Sequence, residues 1–368
     1  MSNHKITMVL SSFNGGGAER MMVQLANGFV KKGIHVDLIV LRNQGEYKKD
    51  VYEKVNTIIC PNLPSVYMYI FVLFIIFITN RPQKILSTQT HVNNVTMFAA
   101  IPLFLRKKVV FREANTPSQS YNEIKNIQKK VTSFLSKITY RLTEKIIAVS
   151  NGVKFDVATF YDVKKTKIKV IYNSVEVDNI INKSNQQINH ALFVKNEIKI
   201  ISIGNLSYKK GYDHLINAFE QVRRDRICKL YIIGKNESDY GKEIKKMIVD
   251  KGLEESIILL GFVENPYKYM SNANLFVLAS RWEGFPNVLI EALVCGCPIV
   301  STDCPSGPNE ILENGTYGRL VPVGDVDLMS QAIIDSLDSS VDREKLKNRG
   351  YEFTQERSVS EYLNYIFE

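Results

Sequence analysis

The chain has 368 residues, of which 45% are hydrophobic and 23% are charged, as in folded globular proteins. This length is too great for one compact core and suits two domains of ordinary size. The net charge of +9 is uneven, because residues 1–176 hold 25 Lys and Arg against 11 Asp and Glu, whereas residues 177–368 hold 22 against 27. A basic half beside a mildly acidic half indicates that only the first domain faces a polyanion. Since the sequence has no recognisable nucleic-acid-binding motif, an anionic membrane surface is favoured over nucleic acid.

The five cysteines indicate a reducing compartment. They lie at positions 60, 228, 295, 297 and 304, without metal-ligand spacing, and their number is odd. We therefore expect a cytosolic chain without disulfides. The first residues run directly into a predicted strand, which argues against a signal peptide.

The first elements of the chain predict a parallel sheet. A strand over residues 6–10 leads through three glycines into a helix over residues 21–32, and a second strand covers residues 35–41. This order implies a right-handed crossover between parallel strands. The glycines at 15, 16 and 17 let the backbone approach a ligand closely, but their spacing is not that of the dinucleotide-binding motif.

The most apolar run covers residues 66–78. It is shorter than the ~20 residues that a membrane-spanning helix needs. We interpret it as a buried helix of the sheet domain. The alternative is an apolar face that contacts the bilayer or a partner.

Two further strands of the first half are followed by polar residues. The strand over residues 84–88 precedes His91, and the strand over residues 108–111 precedes Arg112 and Glu113. In doubly wound sheets, ligands bind at the carboxyl ends of the strands. Arg112 and Glu113 are therefore candidates either to contact an acceptor molecule or to pair with each other.

Residues 122–145 predict a basic amphipathic helix. Apolar residues recur at helical spacing, and six Lys or Arg outnumber two Glu. Such a helix either packs as an ordinary surface helix or docks on lipid headgroups. The charge excess favours the hypothesis that the first domain binds the cytoplasmic leaflet of a membrane.

In the second half, residues 177–197 are rich in Asn, Gln and Lys and predict a surface linker. The strongest functional signal lies at residues 281–293, between an apolar strand over 275–279 and a helix over 288–294, with Pro286 in the first turn. Such a junction points free backbone N–H groups at one spot and favours a phosphate. Glu283 and Glu291 would lie ~12 Å apart if both were helical. An ordinary α/β junction with two solvated glutamates is the alternative.

The string from Glu283 to Glu291, Glu-Gly-Phe-Pro-Asn-Val-Leu-Ile-Glu, resembles the signature of retaining GT-B glycosyltransferases of family four. Residues 301–311, Ser-Thr-Asp-Cys-Pro-Ser-Gly-Pro-Asn-Glu-Ile, also resemble the branch that builds bacterial O-antigen, capsule and lipid-linked oligosaccharides. The resemblance implies an α/β fold of the GT-B class, with two Rossmann-like, doubly wound parallel-sheet domains that face a central cleft. We expect an N-terminal acceptor-side domain at residues 1–176, a linker at 177–197, a nucleotide-sugar-binding domain at 198–350, and a C-terminal helix at 351–368 that returns to the first domain.

The resemblance also implies roles for individual residues. Glu283 and His91 would lie beside the transferred sugar as the catalytic candidates. The donor-binding candidates are Gly16 and Gly17 at the diphosphate, Lys210 at the phosphates, Val263 at the base, Gly284, Phe285, Pro286, Asn287 and Val288 at the sugar hydroxyls, and Glu291 at the ribose. Asn205, also a donor-binding candidate, stands where the family usually has an arginine on the phosphates. An amide does not supply a bidentate charged contact, so Lys209, Arg281 or Arg20 are candidates to replace it.

The expected reaction is transfer of a sugar from a nucleotide diphosphate to a lipid-linked saccharide, with retention of configuration. UDP-galactose, UDP-N-acetylgalactosamine and UDP-N-acetylglucosamine are the donors that the resemblance suggests. No cofactor or metal is expected, because Lys210, with the helix start after Pro286, can meet the leaving-group charge. The expected location is the cytoplasm, peripherally on the inner face of the cell membrane. The alternatives are a nucleotide-sugar epimerase and a non-catalytic subunit that binds another glycosyltransferase.

Overall fold

The computed structural model describes residues 4–14, 16–123, 128–188, 193 and 197–368. The chain folds into two compact units. Unit 1 comprises residues 1–174 and 355–368, and unit 2 comprises residues 175–354.

Unit 1 is built on a seven-stranded parallel sheet with the order β3-β2-β1-β4-β5-β6-β7. Its inner strands are short runs rich in Val, Ile and Leu that are buried on both faces, as parallel strands covered by helices usually are. The strand order reverses between β1 and β4, which is where doubly wound sheets bind ligands. The strands are β1 Lys5–Ser12, β2 His35–Arg42, β3 Asn56–Ile59, β4 Lys84–Thr88, β5 Val109–Glu113, β6 Lys145–Ala148 and β7 Ile168–Val170.

Helices cover this sheet. The last of them, α6, begins after Ser150, whose Oγ accepts a hydrogen bond from the Val153 backbone N–H at 3.0 Å and so caps the helix. The helices of this part of unit 1 are α1 Gly17–Lys31, α2 Tyr69–Asn80, α3 Thr90–Ala100, α4 Pro117–Glu123, α5 Gln128–Leu142 and α6 Asn151–Tyr161.

Unit 2 repeats the doubly wound design on a six-stranded parallel sheet of order β10-β9-β8-β11-β12-β13, with the reversal between β8 and β11. The strands are β8 Ile198–Ile203, β9 Cys228–Ile233, β10 Ile257–Gly261, β11 Leu275–Leu278, β12 Ile299–Thr302 and β13 Arg319–Val321. The helices are α7 Val177–Ser184, α8 Tyr212–Asp225, α9 Asp239–Asp250, α10 Tyr267–Ser271, α11 Asn287–Val294, α12 Pro308–Ile311, α13 Val326–Asp338 and α14 Arg343–Gly350.

The end of the chain belongs to unit 1, although unit 2 precedes it. Helix α15, Gln355–Phe367, buries Val359, Tyr362 and Ile366 in the same apolar core as α1 and β1. At the other boundary, the structure corrects the expected linker at residues 177–197. Residues 177–184 form α7 of unit 2, where Ser271 Oγ donates to the Ser184 carbonyl at 2.9 Å, and residues 189–192 and 194–196 lie outside the described residues.

The apolar run at residues 66–78 forms a helix that is buried on one side only. In α2, the side chains of Tyr69, Leu73 and Phe77 are buried against the sheet domain. Phe71 is 68% exposed and Ile75 is 46% exposed, so the expectation of a wholly buried helix is wrong. Within the described residues, no helix has both the length and the apolar character to cross a membrane.

The basic stretch at residues 122–145 is divided between α4 and α5. Residues 124–127 and the side chains of residues 122–131, which carry several of its lysines, lie outside the described part of the chain. In the described part of α5, Thr139 and Tyr140 are fully buried, whereas Phe134 and Ile138 are exposed. The helix therefore packs with a polar and aromatic side inward and presents apolar side chains outward.

Candidate functional site

Two loops of unit 2 meet at the switch point of its sheet, one after β8 and one after β11. Glu283, which follows β11, is only 5% exposed. Lys210 Nζ lies 2.6 Å from one oxygen of the Glu283 carboxylate, and Lys209 Nζ lies 3.1 Å from the other. Ser280 Oγ donates a hydrogen bond of 2.8 Å to the same carboxylate. The structure thus brings the predicted residues Lys210 and Glu283 together and adds Lys209 and Ser280 to them.

The two lysines determine the charge state of Glu283. Burial raises the pKa of this carboxyl, but the charges of Lys209 and Lys210 and the hydrogen bonds from Lys210 and Ser280 outweigh burial, so the pKa is lowered to about 2. The carboxylate is therefore ionised at neutral pH and cannot act as a general acid there.

Close packing fixes the loop between Glu283 and α11. Ser306 Oγ donates to the Glu283 carbonyl at 2.7 Å. Gly307 has φ +97°, and a Cβ there would lie 2.5 Å from Pro286 Cδ and 2.9 Å from Phe285 Cα. Only glycine fits at this position without displacing the loop. Pro286 is the N-cap residue of α11 rather than part of its first turn, which corrects the sequence-based placement by one position.

Both glutamates at the ends of the string from Glu283 to Glu291 are buried. Glu291 lies in α11, is 5% exposed like Glu283, and accepts a hydrogen bond of 3.2 Å from the Tyr267 hydroxyl. The alternative of two solvated glutamates is therefore wrong. Between them, Gly284 is buried, and the donor-binding candidates Asn287 and Val288 are half-buried in the first turn of α11.

Asn205 and the residues proposed to replace its missing charge have different surroundings. Asn205 Oδ1 accepts a hydrogen bond from the Lys235 backbone N–H at 3.1 Å, so it joins the loops after β8 and β9. Arg281 Nη2 lies 2.6 Å from Asp213 Oδ2. Lys209, by contrast, lies beside Lys210 at Glu283 and is the candidate whose charge is in the cluster.

Val263 lies just beyond β10, at the same carboxyl edge of the sheet. The strand ends at Gly261, and Val263 is half-buried. Its neighbour Phe262 is 59% exposed and has Lys235 Nζ 5.6 Å from its ring centroid. The loop after β9, which is hydrogen-bonded to Asn205, therefore lies between Asn205 and Val263.

In unit 1, the glycine loop leads directly into α1. Gly16 is the N-cap residue of this helix, Gly17 begins it, and Gly15 lies outside the described residues. A Cβ on Gly16 would lie 2.2 Å from Glu19 Oε2. Glu19 is buried and accepts a hydrogen bond of 2.5 Å from Gln89 Nε2, which links the first turn of α1 to the loop after β4. Arg20 lies in the first turn of α1.

His91 lies in the first turn of α3, just beyond the strand end where the sequence places it. It lies between two cavities of about 330 Å³ each, one beside Glu113 and one beside Arg42 and Glu19. The side chain reaches solvent, but the surrounding walls desolvate the ring, and desolvation followed by the charge of Arg42 lowers the pKa of His91. The imidazole is therefore mainly neutral at pH 7.

Arg112 and Glu113 point to opposite sides of β5, as successive strand residues do. Arg112 is fully buried and donates to the Tyr362 hydroxyl at 2.9 Å, to Thr88 Oγ1 at 3.1 Å and to Asn173 Oδ1 at 2.7 Å. It therefore joins α15 to the sheet, and the suggestions that it contacts an acceptor or pairs with Glu113 are wrong. Glu113 instead lines one of the cavities beside His91.

The described cysteines are core residues. All five are buried and free, and burial raises the pKa of each thiol. They are therefore neutral side chains rather than nucleophiles. In the part of the chain that the structure describes, no three His, Cys, Asp or Glu residues are grouped so that they could hold a metal ion.

Sequence reasoning missed residues that act through contacts distant in the chain. Ser280, Ser306 and Tyr267 fix the two glutamates, and Gln89 connects Glu19 to the cavity beside Glu113. The serines and the tyrosine carry no motif signal. Gln89 has φ +72°, which the sequence does not reveal in a residue other than glycine.

Comparisons with known proteins agree with this architecture. A model described as Glycosyltransferase Family 4 matches residues 15–179, and one described as Glycosyl transferases group 1 matches residues 183–353. The solved structure of Anabaena Alr3699/HepE in complex with UDP-glucose superposes with a TM-score of 0.80 at 20% identity, over 98% of this chain and 99% of that one. The expected fold is thus confirmed: the protein is a glycosyltransferase with the GT-B fold. It belongs to glycosyltransferase family 4.

Bacterial polysaccharide enzymes are among its relatives. The N-acetylgalactosamine-N,N'-diacetylbacillosaminyl-diphospho-undecaprenol 4-alpha-N-acetylgalactosaminyltransferase of Campylobacter jejuni is 29% identical over 354 residues, which are 94% of this chain and 93% of that protein. The lipopolysaccharide 1,6-galactosyltransferase of Salmonella typhimurium is 28% identical over 186 residues, which are 49% of each protein.

Proposed function

We propose that the protein transfers a hexose or N-acetylhexosamine from a UDP-sugar to a lipid-linked saccharide in the synthesis of a bacterial surface polysaccharide, with retention of configuration. The observation that carries the proposal is the cluster of the buried Glu283 with Lys209 and Lys210 at the switch point of unit 2. Support for the acceptor comes from the Campylobacter relative, whose name gives a diphospho-undecaprenol acceptor, and support for the donor from the UDP-glucose complex of Anabaena Alr3699/HepE.

Glu283 would hold the two lysines in place rather than attack the sugar. Its oxygens already accept hydrogen bonds or ion pairs from Lys210, Lys209 and Ser280. A carboxylate whose lone pairs are so engaged is a poor nucleophile. The lysines are partly exposed, and their charges suit the diphosphate that leaves as the sugar is transferred. This arrangement also supports the proposal that the reaction needs no metal.

Glu291 would bind the ribose of the donor. Its carboxylate is buried in α11, where Tyr267 orients it. Charged acceptors of this kind bind two adjacent hydroxyls well. We therefore expect Glu291→Ala mainly to weaken donor binding and Glu283→Gln mainly to lower kcat.

Transfer assays test the proposal. The full chain is incubated with each of the three UDP-sugars and a polyprenyl-diphosphate-linked saccharide, and the products are analysed by mass spectrometry and by the anomeric coupling in NMR. An α-linked product from an α-linked donor supports it. Isomerised nucleotide sugar without acceptor would indicate an epimerase, and absence of UDP binding would indicate a non-catalytic subunit. Unchanged kinetics in both glutamate variants would refute the assigned roles.

The proposal also places unit 1 on the inner face of the cell membrane. An apolar surface formed by Phe71, Ile75 and Ile78 of α2 and by Ile101 and Phe104 after α3 is exposed, and Phe104 is 94% exposed. Arg106 and Lys107 are exposed directly beyond it. Apolar side chains flanked by basic ones suit an anionic membrane surface, where a lipid-linked acceptor would be presented.

A further inference from the structure

The two lysines that contact Glu283 lie in one short turn of unit 2. Residues 208–210 form a single 3₁₀ turn, closed by a hydrogen bond of 2.9 Å from the Lys210 backbone N–H to the Ser207 carbonyl. Runs of this helix type stay short because their hydrogen-bond geometry is poor. The position of the two ammonium groups therefore depends on the residues that pack against the turn.

Arg281, two residues before Glu283, joins this turn to the loop after β11. Its backbone N–H donates to the Lys209 carbonyl at 2.8 Å, and its Nη1 donates to the Tyr208 carbonyl at 2.6 Å. Its guanidinium carbon also lies 3.9 Å from the centroid of the Tyr208 ring, within the range of a cation–π contact. One residue thus holds the turn by its main chain, by its side-chain hydrogen bond and by its planar face.

The other end of the guanidinium is anchored in α8. Arg281 Nη2 lies 2.6 Å from Asp213 Oδ2 and 3.1 Å from His214 Nε2. Since a guanidinium only donates, the histidine nitrogen is the acceptor of this contact. Asp213 Oδ1 in turn accepts a hydrogen bond of 2.6 Å from the Tyr240 hydroxyl. The Arg281 side chain, which is 12% exposed, is therefore fixed by protein contacts alone.

Asp213 balances the charge of Arg281. Burial raises the pKa of Asp213, but the hydrogen bonds from Arg281 and Tyr240 and the charge of Arg281 outweigh burial, so this pKa is lowered. The pair therefore carries no net charge at neutral pH. The two lysines and Glu283 together keep one positive charge, so an anionic ligand is attracted to the lysines rather than to Arg281.

Backbone packing holds the same two segments together beyond the lysines. Gly211 follows the turn at φ +62°, and a Cβ there would lie 2.2 Å from the Ala279 carbonyl oxygen in the loop after β11. The added atom would also lie 3.7 Å from Arg281 Nη1. Contacts at Tyr208 and at Gly211 therefore hold the turn on both sides of the lysine pair.

We propose that Arg281 is a positioning residue, which holds the turn at residues 208–210 so that Lys209 and Lys210 face the diphosphate of the donor. The inference rests on the proposed function, under which the two lysines bind that diphosphate. Arg281 itself does not contact the donor. Without its guanidinium the turn is released, and the affinity for the nucleotide falls although both lysines are still present.

Isothermal titration with UDP on the full chain tests the inference. We expect Arg281→Met, which removes the donors but keeps the apolar stem, to raise the Kd of UDP about tenfold. Arg281→Lys should raise it by a similar factor, because an ammonium keeps the charge but lacks the planar fork. Arg226→Met is the matched control: Arg226 has an ion pair of 2.6 Å with Asp338 elsewhere in unit 2, and its loss should leave Kd unchanged.

A double-mutant cycle separates positioning from direct contact. If Arg281 acts through the lysines, Arg281→Met should raise Kd only about threefold or less in a Lys209→Met protein, against about tenfold in the wild type. Two independent contacts with UDP would give additive effects instead and would overturn the inference. Wild-type affinity in Arg281→Lys would overturn it as well, because charge rather than geometry would then be sufficient.

Acylation of lysine amines, followed by mass spectrometry, tests the positioning without any ligand. Lys209 and Lys210 are 26% and 20% exposed, and in Arg281→Met they should react at least about fivefold faster because the turn is released. Lys229 and Lys251, which form ion pairs elsewhere in unit 2, should react at an unchanged rate. Unchanged labelling of the lysine pair, or faster labelling of all four residues through general unfolding, overturns the inference. Absence of UDP binding together with faster labelling of the pair counts against the proposed function alone.

Discussion

Lys209 and Lys210 both contact the carboxylate of Glu283. Lys210 precedes Glu283 by 73 residues in the chain. Adjacent residues in a 3₁₀ turn usually point in different directions, yet both ammonium groups reach Glu283. The two ammonium groups, together with the hydroxyl of Ser280, offset the desolvation of the buried carboxylate. The resemblance implies an arginine where this chain has Asn205, and under the proposed function Lys209 would supply that missing charge.

We predict that Lys209→Met lowers the affinity for UDP about tenfold, which is the size of one charge-assisted contact at a partly exposed site. The lysine is 26% exposed, so solvent screening keeps the effect below that of a fully buried pair. Isothermal titration with UDP measures it. Lys251→Met is the control, because Lys251 has an ion pair of 2.6 Å with Glu220 in the same unit. Equal affinities of the two variants would contradict the role of Lys209.

Single residues also show the limit of sequence reasoning. Glu283 and Glu291 were predicted because they belong to one continuous motif, and Lys210 because it lies in a separate turn, residues 205–211, that resembles the family. The role of Arg112 was not, because its partner Tyr362 lies 250 residues further along the chain. A charged residue at a strand end predicts a ligand or a structural contact equally well until the chain that packs on it is known.

At the scale of elements, the loop between β11 and α11 depends on a glycine of a neighbouring loop. We predict that Gly307→Ala weakens UDP binding more than tenfold, because the new Cβ would meet Pro286 and Phe285 and shift the loop that leads to Glu291. Gly252→Ala is the matched control: its φ of +63° is also positive, but no atom lies within 4 Å of the added Cβ. It should cost about 1–2 kcal/mol of stability from backbone strain and leave UDP affinity unchanged.

Helix α2 allows a similar pair of experiments on membrane binding. Phe71→Ser combined with Ile75→Ser should weaken binding to anionic vesicles about a hundredfold or more in a co-sedimentation titration, because each exposed side chain contributes roughly 1.5–3 kcal/mol when it is buried in lipid. Thermal stability should hardly change. Leu73→Ala, on the buried side of the same helix, should instead lower stability by about 2–5 kcal/mol without a specific effect on vesicles. Unchanged sedimentation of the double variant would contradict the proposed surface.

The apolar strands and the order of elements were predictable because burial on both faces of a parallel strand leaves a continuous run in the sequence. The orientation of α2 was not, since a run of apolar residues around a whole helix does not show which side faces the sheet. The contrast recurs in α5, where Thr139 and Tyr140 are buried and Phe134 is exposed. Helical periodicity predicted the helix but not which of its sides packs inward.

At the scale of the whole molecule, the chain leaves unit 1 after residue 174 and returns to it at residue 355. The return places Tyr362 in the core of unit 1, where its hydroxyl accepts the Nε–H of the fully buried Arg112. The stability of unit 1 therefore depends on residues that follow all of unit 2 in the chain.

We predict that Tyr362→Phe destabilises unit 1 by about 1–3 kcal/mol, because one donor of a buried guanidinium loses its acceptor while the ring stays in place. Hydrogen exchange followed by mass spectrometry checks this unit by unit. Peptides that cover β1 and β5 should exchange faster, and peptides that cover β8 and β9 should not change. Asn364→Ala, at an exposed position on the same helix, should leave both sets unchanged. Faster exchange in unit 2 as well would show that the two units unfold as one cooperative body, against the division that their separate cores indicate.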